Sequence, residues 1–215
     1  MRLNIKNLLR FYDERNPLNA PHAAGITGLI GEDFALGVLY KYLKVRGYTV
    51  KPLDSPCTQG TKKGQRLDKW IRVHRDNETF LFQTEVKNWS VHSFGGEHIA
   101  IDATSEEFSR ISILMWSKYW NPEKRRFTDS GLDKVRLPMR SPLPGFLIKP
   151  LVVIWFPVHP EGLNFPMFEV EASGHFEKVH VFSVSTFLRS LEVETLDIDL
   201  PRVENRLSIL NSLVS

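Results

Sequence analysis

The chain has 215 residues, 42% of them hydrophobic and 25% charged, a composition that excludes a disordered or fibrous protein and predicts a globular domain with its own core. Its net charge of +3 suits a polyanionic partner but does not indicate one by itself. Cys57 is the only cysteine, which excludes an internal disulfide, and its neighbours predict neither a thiolate nor a zinc site. The sequence contains no apolar run of roughly 20 residues and no signal-peptide pattern, so we expect a cytoplasmic protein.

Two helices are predicted in the first quarter of the chain. Residues 3–15 have apolar side chains at helical spacing, so we expect a short helix within an N-terminal helical arm, residues 1–24. A longer helix is predicted to begin after an N-cap at Thr27 and to end before Gly47, because glycine favours the backbone conformation that follows a helix. Residues 25–215 are then expected to form a single domain.

Glu32 lies within the apolar stripe of the longer predicted helix, in line with Leu29, Leu36 and Leu39. This spacing predicts a carboxyl group that faces inward. A buried carboxylate without a partner is costly, so an inward Glu32 should either meet a cation or stay protonated. The alternative is that the helix rolls and leaves Glu32 at its edge.

Residues 65–90 are predicted to form a β-hairpin. Two segments rich in apolar residues, 67–74 and 79–87, are separated by Asp76 and Asn77, which together are a two-residue turn signal. Antiparallel pairing around that turn fixes the register of the two strands. The hairpin therefore determines which side chains of the two segments meet.

The predicted register places Asp68 directly opposite Glu85. Side chains alternate along a strand, so Glu85 and Lys87 share a face and a cation lies beside two carboxylates. Mg²⁺ prefers oxygen ligands, and Asp68 and Glu85 are suitable ones, with the main-chain carbonyl of Val86 as a third. A metal-bound water is a better nucleophile, which Lys87 could orient while it stabilises the transition state. The alternative is a surface salt bridge between Lys87 and Asp68 or Glu85 on an ordinary hairpin.

Basic residues are concentrated in two predicted loops. One loop, residues 54–64, precedes the hairpin, and the other is a turn-rich basic insertion near residues 121–145. Charged loops are usually just solvated, but next to a metal site we expect them to bind phosphates. The basic residues in and beside these loops are Lys62, Lys63, Arg66, Lys124, Arg125, Arg126, Lys134, Arg136 and Arg140.

The second half of the chain predicts further helices and strands. A helix is predicted over residues 105–120, and the continuous apolar run 151–156 predicts a central strand buried on both faces. Two more strands near 168–171 and 179–182 precede a short helix and a last helix that begins at Pro201. This order of elements predicts an α/β protein, with a mixed sheet flanked by helices.

The arrangement of Glu32 on a helix, Asp68 on the first hairpin strand and Glu85-Val86-Lys87 on the second resembles the PD-(D/E)xK superfamily, the restriction-endonuclease-like nucleases. The resemblance covers residues 25–156. It departs from the family pattern at one point, because leucine rather than proline precedes Asp68. The motif is short, so its placement on the predicted hairpin is what makes it specific.

The resemblance implies a restriction-endonuclease-like core and a Mg²⁺-dependent nuclease, with Mn²⁺ as a substitute, that acts on DNA more often than on RNA. It implies that Asp68 and Glu85 bind the metal and that Glu32 is either an auxiliary ligand or an acid next to the direct ligands. Lys87 is then the catalytic base or stabilises the transition state. Some members bind nucleic acid or protein without cleavage, so a non-catalytic binding module on the same fold is the alternative.

Overall fold

A six-stranded mixed sheet is the centre of the protein, in a computed structural model that describes residues 1–14, 25–59, 64, 66–87, 97–120, 135–172 and 175–214. The strands are β1 Arg2–Asn4, β2 Thr49–Leu53, β3 Cys57–Thr58, β4 Arg66–Leu67, β5 Lys69–Arg75, β6 Glu78–Lys87, β7 Leu147–Ile154, β8 Met167–Glu171, β9 Lys178–Ser183 and β10 Thr195–Asp197. The helices are α1 Ile5–Asp13, α2 Glu32–Val45, α3 Ser105–Trp120, α4 Val184–Arg189 and α5 Pro201–Val214.

The six strands follow the order β2, β5, β6, β7, β9 and β8. β6, β7 and β9 run parallel, whereas β5 is antiparallel to β6 and the two edge strands are antiparallel to their neighbours. The predicted α/β class, with a mixed sheet flanked by helices, is confirmed. No helix among the described residues is long and apolar enough to cross a membrane.

Each face of the sheet carries its own hydrophobic core. The first core contains buried side chains of α1, α2 and α4, and the second contains Ile111 and Met115 of α3. In β7, Leu151 and Val153 face the first core while Val152 and Ile154 face the second, so this strand is buried on both faces as predicted. In β6 the first core takes Phe80, Phe82 and Val86, and the second takes Leu81. Alternation then places Gln83, Glu85 and Lys87 on the α3 face.

The predicted hairpin is confirmed in its turn and its register. Arg75 pairs with Glu78 across Asp76 and Asn77, and Asp76 has a φ of +53°, a conformation that aspartate tolerates better than most residues. The β5–β6 ladder keeps the predicted register up to the pair Lys69–Thr84. It stops there, one residue before the predicted pair of Asp68 with Glu85.

The start of the longer helix differs from the prediction. A π-helical turn, Thr27–Gly31, leads directly into α2, and residues 25–26 before it are already helical. The predicted N-cap at Thr27 is therefore wrong. The end is confirmed, because Gly47 follows the helix with a φ of +83°, a conformation that glycine adopts without steric cost.

The π-helical turn also changes which side chains face the core. A π turn holds one more residue than an α turn, so the apolar stripe shifts around the helix axis. Leu36 and Leu39 are buried as predicted, but Leu29 is 44% exposed. Glu32 is also exposed, although it begins α2 and keeps its α-helical spacing from Leu36 and Leu39. The prediction that its carboxyl faces inward is wrong, and the alternative, that Glu32 lies at the edge of the helix, is confirmed.

The first 14 residues pack against the main sheet. Ile5, Leu9 and Tyr12 of α1 belong to the first core, and the Tyr12 ring stacks on Trp155, which follows β7. β1 pairs with β10 in a separate two-stranded sheet. The sequence analysis predicted α1 but neither of these two short strands.

Candidate active site

Glu85 and Lys87 form a buried ion pair at the end of β6. Nζ of Lys87 donates a hydrogen bond to Oε1 of Glu85 at 2.7 Å, and the two side chains are only 13% and 7% exposed. The contact confirms that both residues share one face of the strand. Glu85 is buried and Lys87 is half-buried, so formation of the pair requires desolvation of both charges.

Asp68 lies where the β5–β6 ladder ends. Its amide donates to the carbonyl oxygen of Thr84 at 3.0 Å, and its Oδ2 accepts a hydrogen bond from the amide of Val86 at 2.6 Å. Asp68 is exposed to solvent. Because its amide bonds to Thr84 rather than to Glu85, Asp68 leaves the ladder and its carboxylate turns towards the main chain of β6.

The main chain of Val86 points towards Asp68. The amide and carbonyl of one residue in a strand face the same neighbouring strand, and the Val86 amide faces Asp68. The next carbonyl, that of Lys87, faces β7, where it accepts a hydrogen bond from the amide of Trp155 at 3.1 Å. The Val86 carbonyl is thus directed past the end of the ladder, to the side where Asp68 lies.

Glu32 belongs to the same electrostatic environment although it is exposed. The pKa of its carboxyl is raised, first by partial desolvation and then by the negative charges of Asp68 and Asp33, while Arg206 and Lys87 act in the opposite direction. Such effects require proximity. The start of α2 therefore lies within electrostatic range of Asp68 and Lys87 at the end of the hairpin.

The oxygen donors of this region fit Mg²⁺ in chemical type. Among the described residues, no three histidine, cysteine, aspartate or glutamate side chains are grouped to hold a metal. The predicted set differs, because it joins two carboxylates, Asp68 and Glu85, to the carbonyl of Val86, and Mg²⁺ is commonly held by one or two carboxylates with waters. A cation would also neutralise the negative charge that raises the pKa of Glu32. Glu32 is not part of a three-acid group in this conformation.

Cys57 is buried next to the acids. The pKa of its thiol is raised to about 12, mainly by burial and to a smaller extent by the charges of Asp68 and Glu85, while a hydrogen bond with the main chain of Thr84 acts in the opposite direction. The thiol is thus protonated at neutral pH. This agrees with the prediction that Cys57 is not a thiolate.

Three of the nine basic residues predicted to bind phosphates lie in the described part of the chain. Arg66 pairs with Thr58 of β3, and the amide of Arg140 donates to the carbonyl of Thr58 at 2.9 Å. Both arginines are exposed, and Arg136 is half-buried. The other six lie outside the described residues: Lys62, Lys63, Lys124, Arg125, Arg126 and Lys134.

Gln83 is a buried polar residue that the sequence analysis missed. It lies two residues before Glu85 on the same face and is completely buried. Its Nε2 donates to the carbonyls of Val135 at 2.5 Å and Leu137 at 2.8 Å, and its Oε1 accepts from the amide of Met139 at 3.1 Å. A polar residue directly after the apolar run 80–82 was the available signal.

A second buried charged centre surrounds Asp13, on the other face of the sheet. Its carboxylate accepts hydrogen bonds from Nε1 of Trp155 at 3.1 Å, Oγ of Ser185 at 2.5 Å and Nη2 of Arg189 at 2.9 Å. Complete burial raises the pKa of Asp13, and the charge of Arg189 is the largest opposing effect. The signal in the sequence was its position in the apolar stripe of α1, four residues after Leu9.

Arg189 extends this centre to the main chain. Its guanidinium group donates to the carbonyl oxygens of residues 99, 100 and 101. It therefore connects α1, α4 and the segment before α3.

Comparisons of the chain with protein-family models, with curated proteins and with solved structures gave no match.

Proposed function

We propose that the protein is a Mg²⁺-dependent nuclease of the PD-(D/E)xK type that hydrolyses phosphodiester bonds, in DNA rather than RNA. The observation that carries this proposal is the ion pair of Glu85 and Lys87. Beside it, the carboxylate of Asp68 accepts a hydrogen bond from the amide of Val86, the residue between Glu85 and Lys87 in the sequence. A buried ion pair is a poor source of stability because desolvation offsets the attraction. Its position beside a second carboxylate is better explained by chemistry than by folding.

The position of this group in the fold supports the proposal. Helix α2, strand β2, the β5–β6 hairpin, helix α3 and strand β7 follow one another along the chain, the order expected for a restriction-endonuclease-like core. In open sheets of parallel strands, ligands bind beyond the carboxyl ends of the strands. Lys87 ends β6, a strand that runs parallel to β7, so the acids lie at the carboxyl end of a parallel strand.

Each residue has a defined role in the proposed reaction. The carboxylates of Asp68 and Glu85 and the carbonyl of Val86 would hold the metal. Mg²⁺ bound there would supply Lewis-acid activation of water and neutralise charge on the attacked phosphate. Lys87 would orient the attacking water and donate hydrogen bonds to the charge that develops on the phosphate oxygens. Glu32, whose raised pKa lets it hold a proton more readily than an ordinary glutamate, acts as an auxiliary acid.

The charge distribution supports a nucleic-acid substrate. The chain carries a net charge of +3. Two exposed arginines lie near Asp68: Arg66 precedes it by two residues and pairs with Thr58, and the amide of Arg140 donates to the Thr58 carbonyl. Lysine and arginine attract phosphates and give binding that weakens with salt. A cytoplasmic location, where Mg²⁺ is available, belongs to the same proposal.

The test is incubation with supercoiled plasmid, linear duplex, single-stranded DNA and RNA, in Mg²⁺, in Mn²⁺ and in EDTA. We expect cleavage of DNA with either metal and none in EDTA. Lys87→Gln should lower the cleavage rate about 10²- to 10⁴-fold, while its amide still donates to Glu85 and preserves the far-ultraviolet circular dichroism spectrum. Lys51→Gln, on the exposed face of edge strand β2, is the matched control and should cleave normally.

Two outcomes would contradict the proposal. Normal cleavage by the Lys87→Gln variant would show that Lys87 takes no part in the reaction. Salt-sensitive binding of nucleic acid that EDTA leaves unchanged, with no cleavage of any substrate, would instead indicate the non-catalytic binding module.

A further inference from the structure

Three chain segments form a small layer over the acid-bearing face of the hairpin, which we call the arginine flap. It consists of β3, β4 and residues 135–140. Cys57 pairs with Leu67 and Thr58 with Arg66, and the Arg140 amide donates to the Thr58 carbonyl on the other side of β3. β3 therefore lies between β4 and the segment that carries Arg140.

The arginine flap has an inner and an outer row of side chains. The inner row is buried in the second core, whereas the residues of the outer row are exposed or half-buried. Alternation along β3 and β4 produces this division there, and in the third segment the buried Met139 is followed by the exposed Arg140. The inner row is Cys57, Leu67 and Met139, and the outer row is Thr58, Arg66 and Arg140.

Gln83 attaches the flap to the central sheet. Its side-chain amide makes three hydrogen bonds with the main chain of Val135, Leu137 and Met139. It projects from β6 on the face that also carries Glu85 and Lys87. The segment that ends in Arg140 is thereby fixed relative to the ion pair, so its arginine is held in place before any ligand binds.

The outer row has the chemistry of a phosphate contact. Thr58, which has a hydroxyl group, lies between Arg66 and Arg140. The guanidinium groups of arginines bind phosphate oxygens through paired hydrogen bonds. Among the described residues, no ion pair joins Arg66 or Arg140 to an acid. Asp68 follows Arg66 by two residues, so the row ends beside the acids.

We propose that the outer row of the arginine flap binds the phosphodiester backbone next to the bond that is cleaved, and that Gln83 is the positioning residue that holds the row in place. The inference rests on the proposed nuclease function and names its substrate contact. Backbone contacts of this kind fix the position of the substrate without reading its sequence.

Binding without cleavage tests the outer row directly. A fluorescein-labelled DNA duplex is titrated with protein in EDTA, and fluorescence anisotropy is measured at several salt concentrations. We expect Arg66→Gln and Arg140→Gln each to weaken binding about tenfold and to lower the slope of log affinity against log salt by about 1. Arg46→Gln is the matched control, because it removes the same charge at the far end of α2, about 20 Å from Glu32 along the helix.

Gln83→Met tests the positioning role. The substitution keeps the length of the side chain and removes all three hydrogen bonds. We expect faster hydrogen exchange at the Met139 amide and a loss of affinity similar to that of Arg140→Gln. The double variant should bind no more weakly than either single variant, because both changes remove the same contact. If Gln83→Met does not fold, the exposed arginine variants still decide the question.

The outcomes separate this inference from the nuclease proposal. If Arg66→Gln and Arg140→Gln bind as tightly as Arg46→Gln, or if the unmodified protein binds no duplex, the inference is wrong, whatever the cleavage assay shows. If the arginine variants lose affinity but the unmodified protein cleaves no substrate, the outer row stands as a binding surface and the nuclease proposal fails.

Discussion

The protein has clusters of charged side chains at two places near the carboxyl ends of the central strands β6 and β7, and the two clusters differ in charge balance. Around Asp13, one carboxylate meets one guanidinium group, that of Arg189, and both make further hydrogen bonds to neutral partners. Around Lys87, one ammonium group is near three carboxylates, those of Glu32, Asp68 and Glu85. Trp155 lies between the two centres, because its indole donates to Asp13 and its amide to the Lys87 carbonyl.

This difference distinguishes a structural centre from a binding site. The Asp13 centre is complete, since its charges cancel and its hydrogen bonds connect three parts of the chain. Around Lys87 the three named carboxylates outnumber the ammonium group, and the charges of Asp33 and Arg206 also act on Glu32. Such clusters of acids, with a raised pKa at one of them, are typical of functional sites. The two centres should therefore respond in opposite ways to substitution.

The largest expected effect is on cleavage by Asp68→Asn. The amide oxygen can still accept the hydrogen bond from Val86, so we expect the variant to fold, but it loses a carboxylate ligand. The cleavage rate should fall about 10³-fold, equivalent to about 4 kcal/mol. Mg²⁺ should raise the unfolding temperature of the unmodified protein and not that of the variant. Asp76→Asn, at the other end of the same hairpin, is the control, and equal rates for the two variants would contradict the metal-ligand role.

The next effect concerns the balanced centre. Asp13→Ala leaves the Arg189 guanidinium group buried without its counter-ion, and we expect a loss of about 3 kcal/mol in the free energy of unfolding. For a domain of this size that corresponds to a fall of about 9 °C in the unfolding temperature. Asp197→Ala breaks an exposed pair with Arg2, 67% and 71% exposed, and should cost less than about 1 kcal/mol. Similar unfolding temperatures for both variants would show that the Asp13 centre is not structural.

The smallest effect is a gain in stability from Glu32→Gln. The folded-state pKa of Glu32 is raised, so its contribution to stability is present below the ordinary value and is lost as pH rises through the folded-state pKa. At pH 7 the variant removes the desolvation cost of the Glu32 carboxylate and its repulsion by Asp68 and Asp33, and it also loses the attraction of Arg206 and Lys87. Because Glu32 is exposed, solvent screening limits the gain to about 0.5 kcal/mol, or about 1 to 2 °C.

Thermal unfolding at pH 7 and at pH 4, below the ordinary value of 4.5, checks this prediction. The gain should shrink at pH 4, where Glu32 is mostly protonated in both states. A gain of equal size at both values would show that the acid site carries no repulsion that involves Glu32. Glu106→Gln on α3, also exposed, is the matched control.

The hairpin and the sheet class could be predicted because the signals are local. The turn at Asp76 and Asn77 and the alternation on either side determine the register without any distant contact. Leu29 was placed on the wrong side because a π turn changes helical spacing and leaves no sign in the pattern of apolar residues. Glu32 keeps its α-helical spacing from Leu36 and Leu39, so spacing did not reveal that the start of α2 is exposed. Its nearness to Asp68 depends on how α2 packs on the sheet, which spacing alone does not determine.

The buried polar residues were missed for another reason. Gln83 bonds to carbonyl and amide groups more than 50 residues away, and Asp13 bonds to side chains more than 140 residues away. Main-chain groups and distant partners have no pattern in the sequence near the residue itself. A polar residue inside an apolar stripe is the only local sign, and it indicates burial without naming the partner.

The hairpin also has a consequence for how the chain assembles. A two-residue turn joins β5 to β6, whereas residues 88–146 separate β6 from β7. Closing a long loop costs more entropy than closing a short one, and local pairs form faster than distant ones. We therefore expect the hairpin to form before β7 is in place, so the part of the chain that carries Asp68, Glu85 and Lys87 is assembled first.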